Sequence, residues 1–203
     1  MKRLVFLICL FCVVVAIGTF RAISAIKLKE TKNQFRNIYT LYSSALQYTV
    51  DEMSGDIGCY YSSTGESDVS GCEKFYKHFV ENLKVKKYCQ NDALAENCVP
   101  VYKSYTTSSN CLGFSEEMIN KHDDVFVMDN DSNIIVYNTE NGKRAPFFAV
   151  DVNGLKEPNT PGQDLFTILI MKNSGGAYYF HSNITYCLPV EKGGIENIQD
   201  IYK

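Results

Sequence analysis

The chain opens with an apolar stretch that predicts a helix. Leu4 to Phe20 contains no charged residue and is preceded by two basic residues. Both a membrane-spanning helix and a secretory signal peptide begin in this way, and the length of the stretch lies between those typical of the two. Ala22-Ile23-Ser24 places small residues where signal peptidase reads, so cleavage near Ala25 is the alternative to an uncleaved anchor. We therefore expect residues 1–26 to be a membrane anchor or a signal segment.

The next segment, residues 27–54, continues the helix with a different pattern. Its apolar residues recur at steps of three and four, which is typical of a helix with one buried face. The predicted stripe consists of Phe35, Ile38, Tyr42, Ala45, Thr49 and Met53, broadened by Leu41, Leu46 and Tyr48. We expect one long helix from about Leu4 to Met53, with a transmembrane first half and a second half covered by the rest of the chain.

Residues 55–203 predict an α+β head. Ser70 stands three residues before Glu73, which is the spacing of a capping box at a helix start. The second helix should run from about Glu73 to Lys87 and bury one face. Its predicted buried residues are Phe75, Phe79 and Leu83.

Short segments rich in β-branched and aromatic residues then predict an antiparallel sheet. They are Val125 to Val127, Asn133 to Tyr137, Pro146 to Val152, Leu165 to Ile170 and, as a further candidate, Ala177 to Phe180. Asn130-Asp131-Ser132 and Asn141-Gly142 separate the first three and predict hairpin turns. The apolar face of this small sheet can pack on the striped helix.

The cysteines predict disulfides. Six of the eight lie outside the apolar stretch: Cys59, Cys72, Cys89, Cys98, Cys111 and Cys187. These six contain no C-x-x-C pair and no histidine at a ligand spacing, so zinc is disfavoured and three disulfides in an oxidising compartment are expected. The sequence leaves the pairing open, although the short intervals Cys59–Cys72 and Cys89–Cys98 favour local loops.

Composition and charge exclude several classes of function. With 203 residues, 45% of them hydrophobic, and a net charge of -3, the chain is too apolar for a disordered protein and lacks the basic excess of a nucleic-acid binder. It carries no nucleophile elbow, Gly-rich phosphate loop or H-E-x-x-H motif. We therefore expect no enzymatic activity and no nucleic-acid partner.

One segment resembles a known family. Asp151 to Phe166 reads D-V-N-G-L-K-E-P-N-T-P-G-Q-D-L-F and is similar to the D-x-N-G-x-x-x-P-N-x-x-G-x-D-x-F segment of bacterial pilin-like proteins. Tyr88 to Tyr102 and the helical segment Phe35 to Leu46 are similar to the same group. The resemblance implies a pilin-like α+β fold, with a long N-terminal helix, transmembrane in its first half, packed on a small antiparallel β-sheet.

The resemblance also implies a function. Type IV pilins and type II secretion pseudopilins assemble through their N-terminal helices, so the implied partners are other pilin-like subunits and the membrane. The implied location is a single pass through the inner membrane, with the C-terminal head in the periplasm or at the cell surface. The N-terminal processing motif of prepilins is degenerate here: no acidic residue precedes Glu30, so its glutamate is missing. Pseudopilins at a filament tip can lack that glutamate, which implies a minor or accessory subunit. The alternative is a secreted or membrane-anchored, disulfide-rich binding module outside any filament.

The same segment raises the possibility of a calcium site. Asp151, Asn153, Asn159 and Asp164 offer the hard oxygen atoms that calcium prefers, and Asp-x-Asn-Gly resembles the start of a calcium loop. The alternative is purely structural, because Asp and Asn also bond their own backbone in turns. Both interpretations remain open from the sequence, and no other cofactor is indicated.

Overall fold

The fold is taken from a computed structural model of the chain. It describes residues 2–90, 92–102, 119, 124–138, 144–159 and 164–182. At residues 2–8, 10, 14, 20, 24, 25, 27, 28, 138 and 182 the description covers the backbone alone.

Two helices and eight strands make up the described chain. The helices are α1 (Lys2–Glu52) and α2 (Cys72–Glu81). The strands are β1 (Tyr60–Ser62), β2 (Ser67–Asp68), β3 (Val85–Cys89), β4 (Asp124–Met128), β5 (Asn133–Asn138), β6 (Arg144–Asp151), β7 (Leu165–Lys172) and β8 (Tyr178–Ser182).

All eight strands join one mixed sheet. Its order is β2-β1-β7-β6-β5-β4-β3, and β8 pairs with β7 beside this path. Every pair is antiparallel except β1 with β7, which is parallel. In the pair of β6 with β7, Asp151 lies opposite Leu165, so the two ends of the connecting loop are held next to each other.

The second half of α1 packs on one face of this sheet together with α2. The six residues of the predicted stripe are all buried, and aromatic rings fill the space beneath them. Phe35 meets Phe166 edge-on with ring centroids 4.7 Å apart, and Tyr42 contacts both Phe79 and Phe148. Edge-on pairs of this kind add to the free energy gained by burying apolar area. The helix is thereby fixed to the head from Thr31 onward.

The opposite face of the sheet has a core of its own. Val125, Ile135 and Ala149 point to this side and pack with Cys98, Val99 and Tyr102 from the segment that follows β3. Strands covered on both faces show continuous rather than alternating apolar patterns. Leu165 to Ile170 in β7 is buried without a break, in agreement with this arrangement.

Two disulfides are present in the described residues. Cys59 pairs with Cys72 and Cys89 with Cys98, which confirms the two short-range bonds that the spacing favours. The first ties the start of β1 to the start of α2. Cys111 and Cys187 lie outside the described residues, so the third disulfide stays a prediction.

The predicted fold class is wrong on two points. The sheet is neither small nor purely antiparallel, since it has eight strands and β1 joins it in parallel through β7. In the described part of the chain, moreover, no helix is long and apolar enough to cross a membrane. The transmembrane first half of the helix and the single-pass location in the inner membrane are therefore withdrawn.

The second helix also differs from its prediction. It ends at Glu81 rather than Lys87, because Val85–Cys89 pairs with β4 as a strand. The N-cap residue is Gly71, which has no side chain to cap the helix. The Ser70 hydroxyl donates a hydrogen bond to the Asp68 carboxylate, so the predicted capping box does not form. The three residues expected to be buried on this segment are buried.

Two residues of the broadened stripe are exposed. Leu41 and Tyr48 are 45% and 65% exposed, whereas Leu46 is buried. At about 100° per residue, Leu41 and Tyr48 project roughly 100° or more away from Tyr42, and Leu46 only about 40°. Leu41 is therefore apolar but lies on the exposed side of the helix, so its hydrophobicity predicted the wrong side.

The remaining strands follow the sequence pattern closely. The segments predicted around Val125, Asn133, Pro146, Leu165 and Ala177 are β4 to β8, with ends that differ by up to two residues. The turn at Asn130-Asp131-Ser132 is confirmed, with Asp131 at a positive φ of 66°. The turn predicted at Asn141-Gly142 lies outside the described residues.

Candidate functional site

The first candidate site is the free half of α1. Before Thr31, every side chain of this helix that the structure describes is exposed. The large apolar residues among them are Phe11, Val13, Val15, Ile17, Ile23 and Ile26, with 45% to 70% of their surface exposed. A helix of this length extends roughly 40 Å beyond the covered part of α1 at 1.5 Å per residue.

The exposed apolar residues do not form a single stripe. At about 100° per residue, Phe11 and Val15 lie on one side of the helix, and Val13 and Ile17 lie on nearly the opposite side. A helix that docks in a groove needs only one apolar face, whereas a helix that is apolar on opposite sides is stable when it is surrounded. This half of α1 can therefore be covered by several neighbouring helices but not by one flat surface.

Two thiols mark the same segment. Cys9 and Cys12 are free and exposed, and they stand three residues apart on one side of the helix. They provide native chemical probes for anything that packs against this half of α1.

The second candidate site is the base of the loop between β6 and β7. Asp151, the last residue of β6, is completely buried. Its Oδ1 accepts hydrogen bonds from the backbone N–H of Asn153 (3.1 Å) and Gly154 (2.8 Å), and its Oδ2 accepts one from the Tyr102 hydroxyl (2.8 Å). This carboxylate thus organises the turn that follows β6.

Asp164 closes the other end of the loop. It is also completely buried, and its Oδ2 accepts the backbone N–H of Asn159 at 2.6 Å. The Val152 backbone N–H donates to the carbonyl of Asp164 at 2.8 Å, so both ends of the loop are bonded to each other. Burial raises the pKa of Asp151 well above its usual range, and the neighbouring charge of Asp164 raises it further.

Tight backbone packing explains the glycine in this turn. Gly154 has a φ of +62°, and a Cβ added there would lie 2.1 Å from the backbone oxygen of Asp131. A larger residue would push the loop away from the turn between β4 and β5. The D-x-N-G segment is therefore fitted against a neighbouring hairpin.

All four residues predicted as calcium ligands lie in this loop or at its ends, and all are buried. Asn153 and Asn159 are each 8% exposed, and both carboxylates are fully covered. The sequence did not point to Asn133 or Tyr102, which also face Asp151. Asn133 lies directly opposite Asp151 in the pairing of β5 with β6, a relation that only the strand register reveals.

Comparison with known proteins gives no further guide. No protein-family model, no curated protein and no solved structure matches this chain. The resemblance to pilin-like proteins therefore remains a prediction from the sequence.

Proposed function

We propose that this chain is a structural subunit that assembles with similar subunits through the first half of α1. The observation that carries the proposal is the exposure of apolar side chains on opposite sides of that half of the helix. Exposed apolar surface of this extent marks an interaction site in most proteins. A bundle of several such helices would bury all sides at once.

The arrangement of the chain supports an assembly role. One half of α1 is anchored in the core of the head by Phe35 and Tyr42, and the other half is left for neighbours. Heads would then be displayed around a central bundle of helices. This is the manner in which minor subunits of type IV pili and type II secretion pseudopili assemble, which is also the function that the Asp151 to Phe166 segment favours.

Cross-linking through the native cysteines tests the proposal. If neighbouring copies pack along this segment, copper-catalysed oxidation of the full chain should join Cys9 or Cys12 of one copy to a neighbour. We expect a ladder of covalent oligomers on a non-reducing gel and its loss in the Cys9→Ser, Cys12→Ser double variant.

Displaced thiols provide the matched control. In the double variant, Asn37→Cys and Thr40→Cys place two thiols, three residues apart as in the unaltered chain, on exposed polar positions of α1 beyond the free half. They should give far fewer oligomers under the same oxidation. Equal cross-linking at both positions would contradict the proposal, as would recovery of a protein that begins near Ala25, which would favour the secreted binding module instead.

A further inference from the structure

Buried amide oxygens without a hydrogen-bond donor gather at the base of the loop between β6 and β7. In the described residues, the buried side-chain oxygens without a hydrogen-bond partner include the Oδ1 atoms of Asn133, Asn153 and Asn159. Most buried polar atoms in proteins are hydrogen-bonded, because an unpaired one loses the water it bonded in the unfolded chain. Three such atoms at the base of one loop indicate that a bound ion or molecule pairs with them.

The amide of Asn153 has a defined orientation. Its Nδ2 donates to the backbone oxygen of Glu157 at 3.2 Å, which leaves Oδ1 as the free acceptor. Turning the amide over would give up that hydrogen bond. The unpaired atom on Asn153 is therefore its acceptor oxygen.

The three amides surround the two buried carboxylates. Asn153 and Asn159 bond Asp151 and Asp164 through their own backbone N–H groups, and Asn133 faces Asp151 across the strand pair. Each of the three asparagines is thus either bonded to one of the carboxylates through its backbone or paired with Asp151 across the sheet. The hydrogen bonds to Asp151 come from neutral donors, and that residue forms no ion pair with any described residue.

We infer that Asp151 and Asp164, with the amide oxygens of Asn133, Asn153 and Asn159, bind a calcium ion. Its positive charge would balance the buried carboxylate of Asp151, and its oxygen preference matches the whole set of side chains. Calcium accepts six to eight oxygen ligands in irregular geometry, whereas zinc prefers nitrogen and sulfur, and magnesium requires a strict octahedron. The inference concerns the head alone and does not depend on assembly through α1.

The direct test compares the full chain in calcium and in chelator. Isothermal titration calorimetry with calcium chloride should give one site per chain. Calcium at about one hundred times its dissociation constant should raise the melting temperature by roughly 5–10 °C over the chelated protein. No binding heat at millimolar calcium and no shift in melting temperature would overturn the inference and favour a carboxyl pair that shares a proton.

A pair of variants locates the ion. Asp164→Asn keeps the shape of the side chain and removes one charge, so it should weaken calcium binding at least tenfold. Asp129→Asn removes an exposed carboxylate outside the loop and should bind calcium as the unaltered chain does. Unchanged binding by Asp164→Asn would overturn the assignment.

Terbium luminescence gives a second readout that does not require Asp164→Asn to fold. Terbium occupies oxygen-rich calcium sites, and a nearby tyrosine sensitises its emission. Tyr102, bonded to Asp151 at 2.8 Å, would be the sensitiser. We expect emission that calcium displaces and that Tyr102→Phe strongly reduces; emission that calcium fails to displace would contradict the site.

Discussion

At the scale of single residues, the buried carboxylate of Asp124 is held by partners from two other strands. Arg144 pairs with the buried carboxylate of Asp124 at 2.5 Å, and the Tyr88 hydroxyl donates to the other oxygen of that carboxylate at 2.5 Å. The three residues come from β6, β4 and β3, so only the strand order brings them together. A buried carboxylate needs such partners, because an unpaired buried charge is strongly destabilising.

The titration of Tyr88 tests this cluster. Burial raises the pKa of Tyr88 to about 12, and its hydrogen bond to the Asp124 carboxylate raises it too, from an ordinary value of 10.0. The difference in tyrosinate absorbance between the unaltered chain and Tyr88→Phe should therefore appear near pH 12. A difference that appears near pH 10 would contradict the cluster.

The same shift has a consequence for stability. Between about pH 10 and 12 the folded chain keeps the Tyr88 proton while the unfolded chain loses it. The free energy of unfolding should therefore fall as pH rises through this range, and it should fall less steeply in Tyr88→Phe. Denaturant titrations at several alkaline pH values measure both slopes.

At the scale of elements, the strands with a strong apolar pattern were predictable and the others were not. The segments from Val125 to Phe180 have enough β-branched and aromatic residues to identify β4 to β8. In contrast, Ser67–Asp68 is two polar residues, and Val85–Cys89 is mostly exposed, so its strand is set by pairing with β4 rather than by its composition. The local sequence pattern therefore did not predict strands that are set by pairing with a neighbouring strand.

The packing between α1, α2 and the sheet depends on Phe79. Its ring is completely buried and contacts the rings of Tyr42, Phe75, Phe148 and Phe180. Phe79→Ala should lower the free energy of unfolding by about 3–5 kcal/mol, because it leaves a cavity where the two helices meet the sheet.

An exposed aromatic residue of α1 is the control for that variant. Tyr48 is 65% exposed, so Tyr48→Ala should change the free energy of unfolding by no more than about 0.5 kcal/mol. Urea unfolding of both variants measures the difference. Equal losses would mean that the aromatic cluster does not hold the helices to the sheet.

At the scale of the whole molecule, the sequence pattern indicated one layer of core where the structure has two. The apolar stripe on α1 correctly predicted the core between the helices and the sheet. The second core, around Val99 and Tyr102, depends on a segment with no regular element, and nothing in its sequence placed it under the sheet. At the base of the loop between β6 and β7, the sequence motif predicted Asp151, Asn153, Asn159 and Asp164. Asn133 and Tyr102 could not be predicted, because only the folded chain brings them next to Asp151.

The described part of the molecule consists of a head, packed around its sheet, and a helix whose first half is exposed. The head buries both faces of its sheet, and two disulfides, each stabilising by about 2–4 kcal/mol, restrain its loops. The first half of α1 contributes nothing to that head in its described side chains, all of which are exposed. In the proposed assembly, contacts between molecules would cover its apolar sides.

Sedimentation velocity of the full chain is the most direct test of assembly through α1. The comparison is between Ile17→Lys, which places a charge in the free half, and Asn37→Lys, which adds the same charge at an exposed polar position. We predict that the unaltered chain and Asn37→Lys sediment as large oligomers and that Ile17→Lys sediments as a 23.0 kDa monomer. A monomeric unaltered chain, or oligomers that Ile17→Lys leaves intact, would contradict the account.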